Sequence, residues 1–318
     1  MDAFSAFLDG PRAKSAFLLK AALSPPWSIR VEDRAPLTVI AIARGDAWTV
    51  DAQGTPFHLR EGDVGIVREA EPYLFADSPN TPPQVIIHPG QHCTTIDGHD
   101  LAIPMGLGVR TWGNDPDGDT VALIGTYEQV GESGRMLLDA LPPMLALAAN
   151  EWDSPLVGLL EAEITRADAG QSAVLDRLLD LVLVAAVRAW FATDDRRTPG
   201  WYRAQSDPVV GRVMSLIHDH PERPWTVASL AGEAGASRAW LARRFHELVG
   251  RPPMEYLTEV RLSLAADLLA EPGSTVASVS QRVGYATPYS FSAAFKRVRG
   301  VSPTHHRARL AESLAHVG

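Results

Sequence analysis

Residues 225–257 read WTVASLAGEAGASRAWLARRFHELVGRPPMEYL, and residues 274–307 read STVASVSQRVGYATPYSFSAAFKRVRGVSPTHHR. Thr-Val-Ala-Ser occurs in both, at 226–229 and at 275–278, an interval of 49 residues. Gly235 and Gly284 keep that interval, while Phe245 and Phe295, Gly250 and Gly300, and Pro253 and Pro303 lie 50 apart. One residue is therefore inserted between Gly284 and Phe295. A chance match of four residues does not hold its register from Thr226 to Pro253, so these are two copies of one structural unit.

The unit has a direct physical reading. Thr226 and Thr275 are N-cap candidates, because a threonine hydroxyl accepts one of the orphan N–H groups that open a helix. A short apolar-faced helix follows, carrying Val227, Leu230 and Ala231 in one copy and Val276, Val279 and Val283 in the other. Gly235 and Gly284 then stand where a left-handed residue closes a helix. A polar turn leads into a second helix that runs to Val249 or to Arg299. Helix, glycine turn, helix is the helix-turn-helix, whose second helix enters the DNA major groove. One copy alone reads equally well as a helical hairpin in a bundle; two in register on a basic segment point to DNA.

Charge supports that placement. The 318-residue chain carries a formal net charge of −9, which argues against a polyanion partner until it is divided. Residues 207–318 hold 13 Lys/Arg against 10 Asp/Glu, a net of +3, and residues 1–206 hold 16 against 28, a net of −12. Such asymmetry marks a polyanion-binding module attached to something else.

Asp207–Leu310 resembles the AraC/XylS-type DNA-binding domain, and the most specific run is Val283–Arg307. Its Gly-Tyr pair, Phe-Ser and Phe-Lys-Arg core, Gly-Val-Ser-Pro turn and basic finish match the family signature. The resemblance implies seven helices, with two helix-turn-helix units joined by a long one. The first recognition helix is then Arg238–Leu248, presenting Ser237, Arg238, Trp240, Ala242, Arg243 and Arg244, with Phe245 turned to the core. The second is Pro288–Val298, opened by Thr287 and presenting Pro288, Tyr289, Ser292 and Ala293, with Phe291 and Phe295 in the core. Arginine is the commonest reader of guanine, which makes Arg243 the leading base contact. Lys296, Arg297, Arg299 and Arg307 are assigned to phosphates, a contact that adds affinity without reading sequence. Family members often carry a basic residue where this chain has Ala293, so direct readout by the second unit is expected to be weaker.

The acidic segment has a different texture. From about Pro26 to Tyr127, short apolar runs such as LTVIAIARG and TVALIGTY alternate with turn residues, which predicts an antiparallel β-barrel or sandwich. Residues 1–136 resemble the cupin-type sensor domain found in one branch of the same family, on the run PFHLREGDVGIVREAEPYLF at 56–75. Catalytic cupins carry two His and a Glu before the Glu61-Gly62-Asp63 turn and a His after Pro72. Here His58 remains and Tyr73 sits near the later His position, so the resemblance does not bring the usual metal chemistry. His88, His92, Cys93 and His99 are four N/S ligand types within 12 residues, a candidate site for zinc or another transition metal. Cys93 alternatively stands as a lone redox switch. Asn114, Asp115, Asp117 and Asp119 suggest calcium by type, but Pro116 breaks the loop and a turn is the expected outcome. Trp48, His58, Tyr73, Phe75 and Trp112, with Trp27 nearby, are candidate walls of an apolar effector pocket.

The expected layout is a cupin-like sensor (α+β, residues 1–136), helices for homodimerisation (137–192), a linker (193–208) and an all-α DNA-binding domain (209–312). Leu175, Leu178, Leu179, Val182, Leu183, Ala186 and Trp190 form a helical stripe, the pattern of an ordinary core face or of a face that pairs with its twin, and the dimer expectation rests on the second reading. The N-terminus lacks a signal-peptide pattern and the longest apolar stretch is interrupted by charges, so a cytoplasmic protein is expected with no membrane partner. The leading reading is a non-enzymatic transcriptional regulator that binds double-stranded promoter DNA, with a small-molecule, metal or redox effector and, if it activates, RNA polymerase as a partner. A constitutive regulator with a degenerate barrel and a cupin metalloenzyme with a DNA-binding tail are the alternatives.

Overall fold

The computed structural model describes residues 16–315 apart from 69–70, 129, 153–154 and 194–197. The start of the expected sensor and the middle of the expected linker therefore lie outside the described residues. In chain order the strands are β1 (Phe17–Leu23), β2 (Ser28–Val31), β3 (Leu37–Arg44), β4 (Asp46–Val50), β5 (Pro56–Arg60), β6 (Val64–Arg68), β7 (Tyr73–Ala76), β8 (Val85–His88), β9 (His92–Thr95), β10 (Gly106–Gly108), β11 (Thr111–Gly113), β12 (Thr120–Tyr127) and β13 (Met144–Leu147). They form two sheets, ordered β10-β11-β1-β12-β3-β6-β13 and β5-β4-β7-β2-β8-β9. Each sheet keeps its own edges, so the domain is a cupin-like sandwich rather than a closed barrel. Pairing is antiparallel except at β1–β11 and β2–β8, which are parallel. The inner faces share one core that includes Leu23, Trp27, Ile29, Ile40, Ile42, Leu59 and Phe75.

Helices follow the strands: α1 (Glu132–Leu138), α2 (Ala149–Trp152), α3 (Leu156–Ile164) and α4 (Gln171–Thr193). The stripe read from the sequence is real, with Leu175, Leu179, Val182, Leu183 and Ala186 all buried within this single chain. Helix α4 rests where Gly125 of β12 leaves room: a Cβ there would lie 2.3 Å from Leu179 Cδ1. Tyr127 Oη donates to Asp180 Oδ1 at 3.2 Å beside it. The face assigned to a dimer is thus spent on the sandwich, and what α3 and α4 leave exposed is Leu159, Val174 and Leu181.

The remaining helices are α5 (Gly200–Ala204), α6 (Val210–Asp219), α7 (Val227–Glu233), α8 (Arg238–Val249), α9 (Pro253–Ala270), α10 (Val276–Arg282), α11 (Pro288–Arg299) and α12 (Pro303–Ala315). Among the described residues the chain forms two compact units, residues 16–130 with 141–193 and residues 131–140 with 198–315. Two expected boundaries move. The end of the linker is structured: Trp201 and Ala204 of α5 are buried, and the α-carbon of Gly200 approaches so closely that a Cβ would meet Leu248 O at 2.4 Å. The segment 131–140, expected to straddle the end of the sensor, belongs to the C-terminal unit.

Candidate nucleic-acid interface and sandwich cavity

The two repeats fold alike down to individual bonds. Thr226 Oγ1 accepts from Ser229 N at 3.0 Å while Thr226 N donates to Ser229 Oγ at 2.9 Å. Thr275 and Ser278 reproduce the box at 3.0 and 3.1 Å. The shared Thr-Val-Ala-Ser is therefore a capping box, in which cap and third residue satisfy each other's N–H. Ala236 N donates to Ala231 O and Tyr285 N to Ser280 O, both at 2.9 Å, so the copies are still in step there. The recognition helices are capped by Ser237 and by Thr287, 50 residues apart, which places the insertion in the turn at Tyr285–Thr287. Both helices end on a left-handed glycine, Gly250 at φ 83° and Gly300 at φ 76°. Pro253 and Pro303 begin the helices that follow, where a missing N–H is harmless.

Core and surface divide as the repeat demands. Leu241 and Phe245 of α8 are buried, Phe245 lying edge-on to Tyr256 at 5.6 Å. Phe291 and Phe295 of α11 take the matching places, 5.6 Å apart, in a cluster with Leu262, Leu269, Val279 and Val283. Arg238, Ala242 and Arg243 on α8 are exposed, as are Pro288, Tyr289, Ala293, Lys296 and Arg297 on α11. Tyr289 is 85% exposed, unusual for an aromatic and consistent with a contacting surface. Trp240 and Ser292 are half-buried. Ser237 and Thr287 have their hydroxyls engaged as caps, accepting from Trp240 N and Ser290 N.

The basic residues are not equivalent. Arg243 is 70% exposed, with Glu247 Oε1 at 3.6 Å. Arg244 Nε instead binds Asp207 Oδ2 at 3.0 Å, and Asp207 Oδ1 accepts from Val209 N and Val210 N at the start of α6. Burial pushes the Asp207 carboxyl up, but the hydrogen bonds from Val210, Arg244 and Val209 and the Arg244 charge outweigh it and hold the group below its usual range. Arg307 Nη1 donates to Ser274 O at 2.9 Å, tying α12 to the start of the second unit. Arg299, assigned to phosphate from the sequence, is only 18% exposed, 3.1 Å from Glu132 and 3.3 Å from Glu259, with Ser263 Oγ accepting from it at 2.7 Å. That arginine is an internal tie.

Glu132 opens α1, and its backbone N–H donates to Asp267 Oδ1 of α9 at 2.6 Å. Asp267 thereby caps a helix 135 residues away in sequence, and Arg299 closes the other side. Sequence spacing carries no signal for this strap, because its partners are neither periodic nor near one another.

Between the sheets lies a cavity of about 330 Å³. Tyr73, Phe75 and Trp112 line it, together with Asp33, Cys93 and Arg110, which sequence reasoning had not placed there. Trp48 and His58 do not. Alternation along β4 and β5 turns Ala47 and Leu59 to the core, leaving Trp48 and His58 stacked on each other at 4.2 Å on the opposite face. His58 Nε2 pairs with Asp46 Oδ2 at 2.6 Å there.

Of the four candidate metal ligands only His88 and His92 are brought together, as register partners across β8 and β9 with ring centroids 5.8 Å apart. His92 and Cys93 are successive strand residues and so face opposite ways; His92 Nε2 meets Asp100 Oδ2 at 2.7 Å, while Cys93 lines the cavity and donates to Gln91 O at 3.6 Å. His88 Nε2 pairs with Thr94 Oγ1 at 2.9 Å and His99 with Asp97 at 3.3 Å. Among the described residues no group of three or more His, Cys, Asp or Glu side chains is placed to hold a metal ion. Burial, with the Asp100 charge nearby, pushes the Cys93 thiol up to about 11, opposite to what a reactive thiolate needs. Asn114 and Asp115 bind Ser24, and Arg44 holds the Asp117 and Gly118 carbonyls, which makes that loop a turn.

No helix among the described residues is long and apolar enough to cross a membrane. The cupin family model matches residues 2–192, and a helix-turn-helix domain model matches residues 230–309. The chain is 31% identical over 287 residues to an AraC-like transcription regulator of Streptomyces lividans, covering 88% of this chain and 90% of that one. It is 26% identical over 315 residues to the HTH-type transcriptional regulator AlkR of Acinetobacter baylyi, covering 96% and 99%. A solved AraC-type DNA-binding protein from Chromobacterium violaceum is 28% identical over 34% of this chain and 96% of its own, with a TM-score of 0.32. Both of these relatives, matched over most of this chain, are named as transcription regulators. With two capped helix-turn-helix units behind a cupin sandwich, the chain belongs to the AraC family of DNA-binding transcriptional regulators.

Proposed function

We propose that occupancy of the sandwich cavity by a small molecule sets the affinity of the two helix-turn-helix units for promoter DNA. The observation that carries this is the cavity itself. Protein cores are packed as densely as organic crystals and hold few voids larger than water. A space of about 330 Å³ therefore falls in the class of ligand pockets rather than packing defects. The proposal assigns the signal to a small molecule and not to a metal, because only two of the four His/Cys residues come together.

On the DNA side, α8 and α11 enter successive major-groove segments. The 18 residues of α9 make a rod of about 27 Å at 1.5 Å per residue between the units, comparable with the ~34 Å of one DNA turn. Arg243 and Arg238 read bases from α8, and Tyr289 offers apolar contact from α11. Lys296, Arg297 and the exposed Arg307 neutralise phosphates, whereas Arg244 and Arg299 act mainly inside the protein. A homodimer would use Leu159, Val174 and Leu181, the apolar side chains that α3 and α4 leave uncovered, and the compartment of such a regulator is the cytoplasm.

The test selects a preferred duplex from a random library on the full-length protein. Compounds are then screened for those that raise its melting temperature, and duplex affinity is measured with and without each. Coupled sites typically shift affinity by roughly 5- to 150-fold. Compounds that bind the cavity and leave duplex affinity unchanged would support the constitutive alternative instead.

A further inference from the structure

The two helix-turn-helix units touch each other as well as sharing α9. The first sits on the N-terminal half of α9, through Phe245 against Tyr256, and the second on its C-terminal half, through Val279, Val283, Phe291 and Phe295 with Leu262 and Leu269. Each seat fixes one unit to the helix and leaves the angle between the units open. Arg261, between Tyr256 and Leu262, closes that angle. Its Nε donates to Pro221 O and its Nη2 to Arg223 O, both at 2.6 Å, so the fork holds the segment that leads into the Thr226 cap of the first unit. Trp225 Nε1 donates to His220 O at 2.8 Å and ties that segment to the end of α6. The same guanidinium lies over the Tyr285 ring, 5.8 Å from its centroid, in the turn of the second unit. Beside it the Gly284 backbone approaches so closely that a Cβ would meet Glu222 O at 2.4 Å.

The duplicated units have diverged at this contact. The first copy has Ala236 where the second has Tyr285, the two N–H groups making the same turn bond, and a Cβ at Gly235 would meet nothing within 4 Å. We infer that Arg261 is a positioning residue for DNA recognition: it sets the separation and angle of α8 and α11, so that the protein discriminates duplexes by the spacing of their two contacted groove segments. A planar guanidinium can place two N–H groups on two carbonyls and its face on a ring at once, which the point charge of a lysine cannot. This rests on the proposed reading in which both recognition helices enter the groove. One extra base pair between the segments shifts the second by about 3.4 Å and turns it by roughly 35° about the duplex axis, a change that a fixed pair of helices cannot follow.

The experiment uses the full-length protein, the selected duplex with its contacted segments mapped by hydroxyl-radical footprinting, and the same duplex with one base pair inserted between them. Wild type should lose roughly tenfold or more on the insertion, as for a lost base contact. Arg261→Met, which keeps a long apolar stem and removes the donors, should lose less than about threefold. Arg261→Lys should fall between the two, and carries the test if the Met variant does not fold. A merely structural role would lower the melting temperature and both affinities and leave their ratio unchanged. A second readout needs no DNA. Nitroxide labels at Ala242→Cys and Ala293→Cys, both exposed, in a Cys93→Ser background give a distance distribution by double electron–electron resonance, which should broaden in the Arg261 variants. A wild-type protein that tolerates the insertion, variants that keep the full wild-type penalty, or an unbroadened distribution overturns the inference. A footprint over one segment alone sinks the two-helix reading instead, while the distance distribution still decides the role of Arg261, so the two fail separately.

Discussion

Adjacent arginines on α8 are expected to fail in opposite ways. Arg243 is 70% exposed, and its one described ion pair is to Glu247 at 3.6 Å, in the less favourable order for a helix. Arg243→Ala should therefore cost less than about 0.5 kcal/mol of stability. On the proposed reading of guanine by Arg243, the same change costs a bidentate contact worth about 1–3 kcal/mol, or roughly 5- to 150-fold in affinity for the selected duplex. Scrambled duplex should lose far less. Arg244→Ala should do the reverse, because its 3.0 Å bond to Asp207 joins α8 to the residue that caps α6. Losing that partly exposed bond should cost about 1 kcal/mol, a fall in melting temperature of about 4 °C for a domain of this size. Specificity should change little. The assays are fluorescence anisotropy with selected and scrambled duplexes at fixed salt, and differential scanning fluorimetry without DNA. Equal loss on both duplexes for Arg243→Ala refutes its base-reading role, and an unchanged melting temperature for Arg244→Ala refutes the internal one.

Three further outcomes follow from the geometry. Cys93 is the one cysteine, and a rise from its ordinary value of 9.0 to about 11 lowers its thiolate fraction about 100-fold at neutral pH. Iodoacetamide should alkylate it far more slowly than free cysteine at pH 8; comparable rates would refute this. Gly235 and Gly284 both have positive φ, so alanine costs each about 1–2 kcal/mol, but a Cβ at Gly284 also meets Glu222 O at 2.4 Å while none is met at Gly235. Urea midpoints should therefore fall further for Gly284→Ala, and equal falls would contradict the difference. Burial holds His306 below its ordinary value of 6.5; Glu132 and Asp267 nearby pull it up, and Arg299 and Arg309 push it down. Its folded form thus binds protons less readily than the unfolded chain. The resulting destabilisation is absent above pH 6.5 and grows as pH falls below it until the folded His306 also protonates. His306→Gln should flatten the dependence of melting temperature on pH below 6.5, and an unaltered slope would show that this histidine does not contribute.

The DNA-binding half was legible in the sequence because its determinants are local. A cap, the residue three positions on, the closing glycine and the buried Phe all lie within one unit, and the repeat supplies each twice. The sandwich was legible as a class, from apolar runs and turn residues, but its interior was not. Trp48 and His58 were read as pocket walls because they are large, whereas strand parity assigns the inner face to Ala47 and Leu59. His92 and Cys93 looked like joint ligands because they are adjacent, and adjacency in a strand is what separates them. The apolar stripe of α4 was read correctly as a buried face, but not what buries it, since periodicity marks a face without naming its cover. Arg299 lay beyond sequence reasoning altogether, because its partners Glu132 and Glu259 come from distant helices.

The strap at residues 131–140 has a consequence for how the protein is made. Its Glu132 leaves the ribosome 135 residues before Asp267, the group that caps it. At the usual ~5–20 residues per second, roughly 7–27 s pass in which Leu137 and Leu138, both buried at the end, have no dock. Meanwhile the sandwich closes around the strap's two ends, because β12 precedes it and β13, which pairs with β6, follows it. Synthesis thus leaves a loop held out from a finished domain, waiting for a helix not yet translated. A chain stalled or cut in the linker would present that loop, with its apolar pair, to chaperones and proteases.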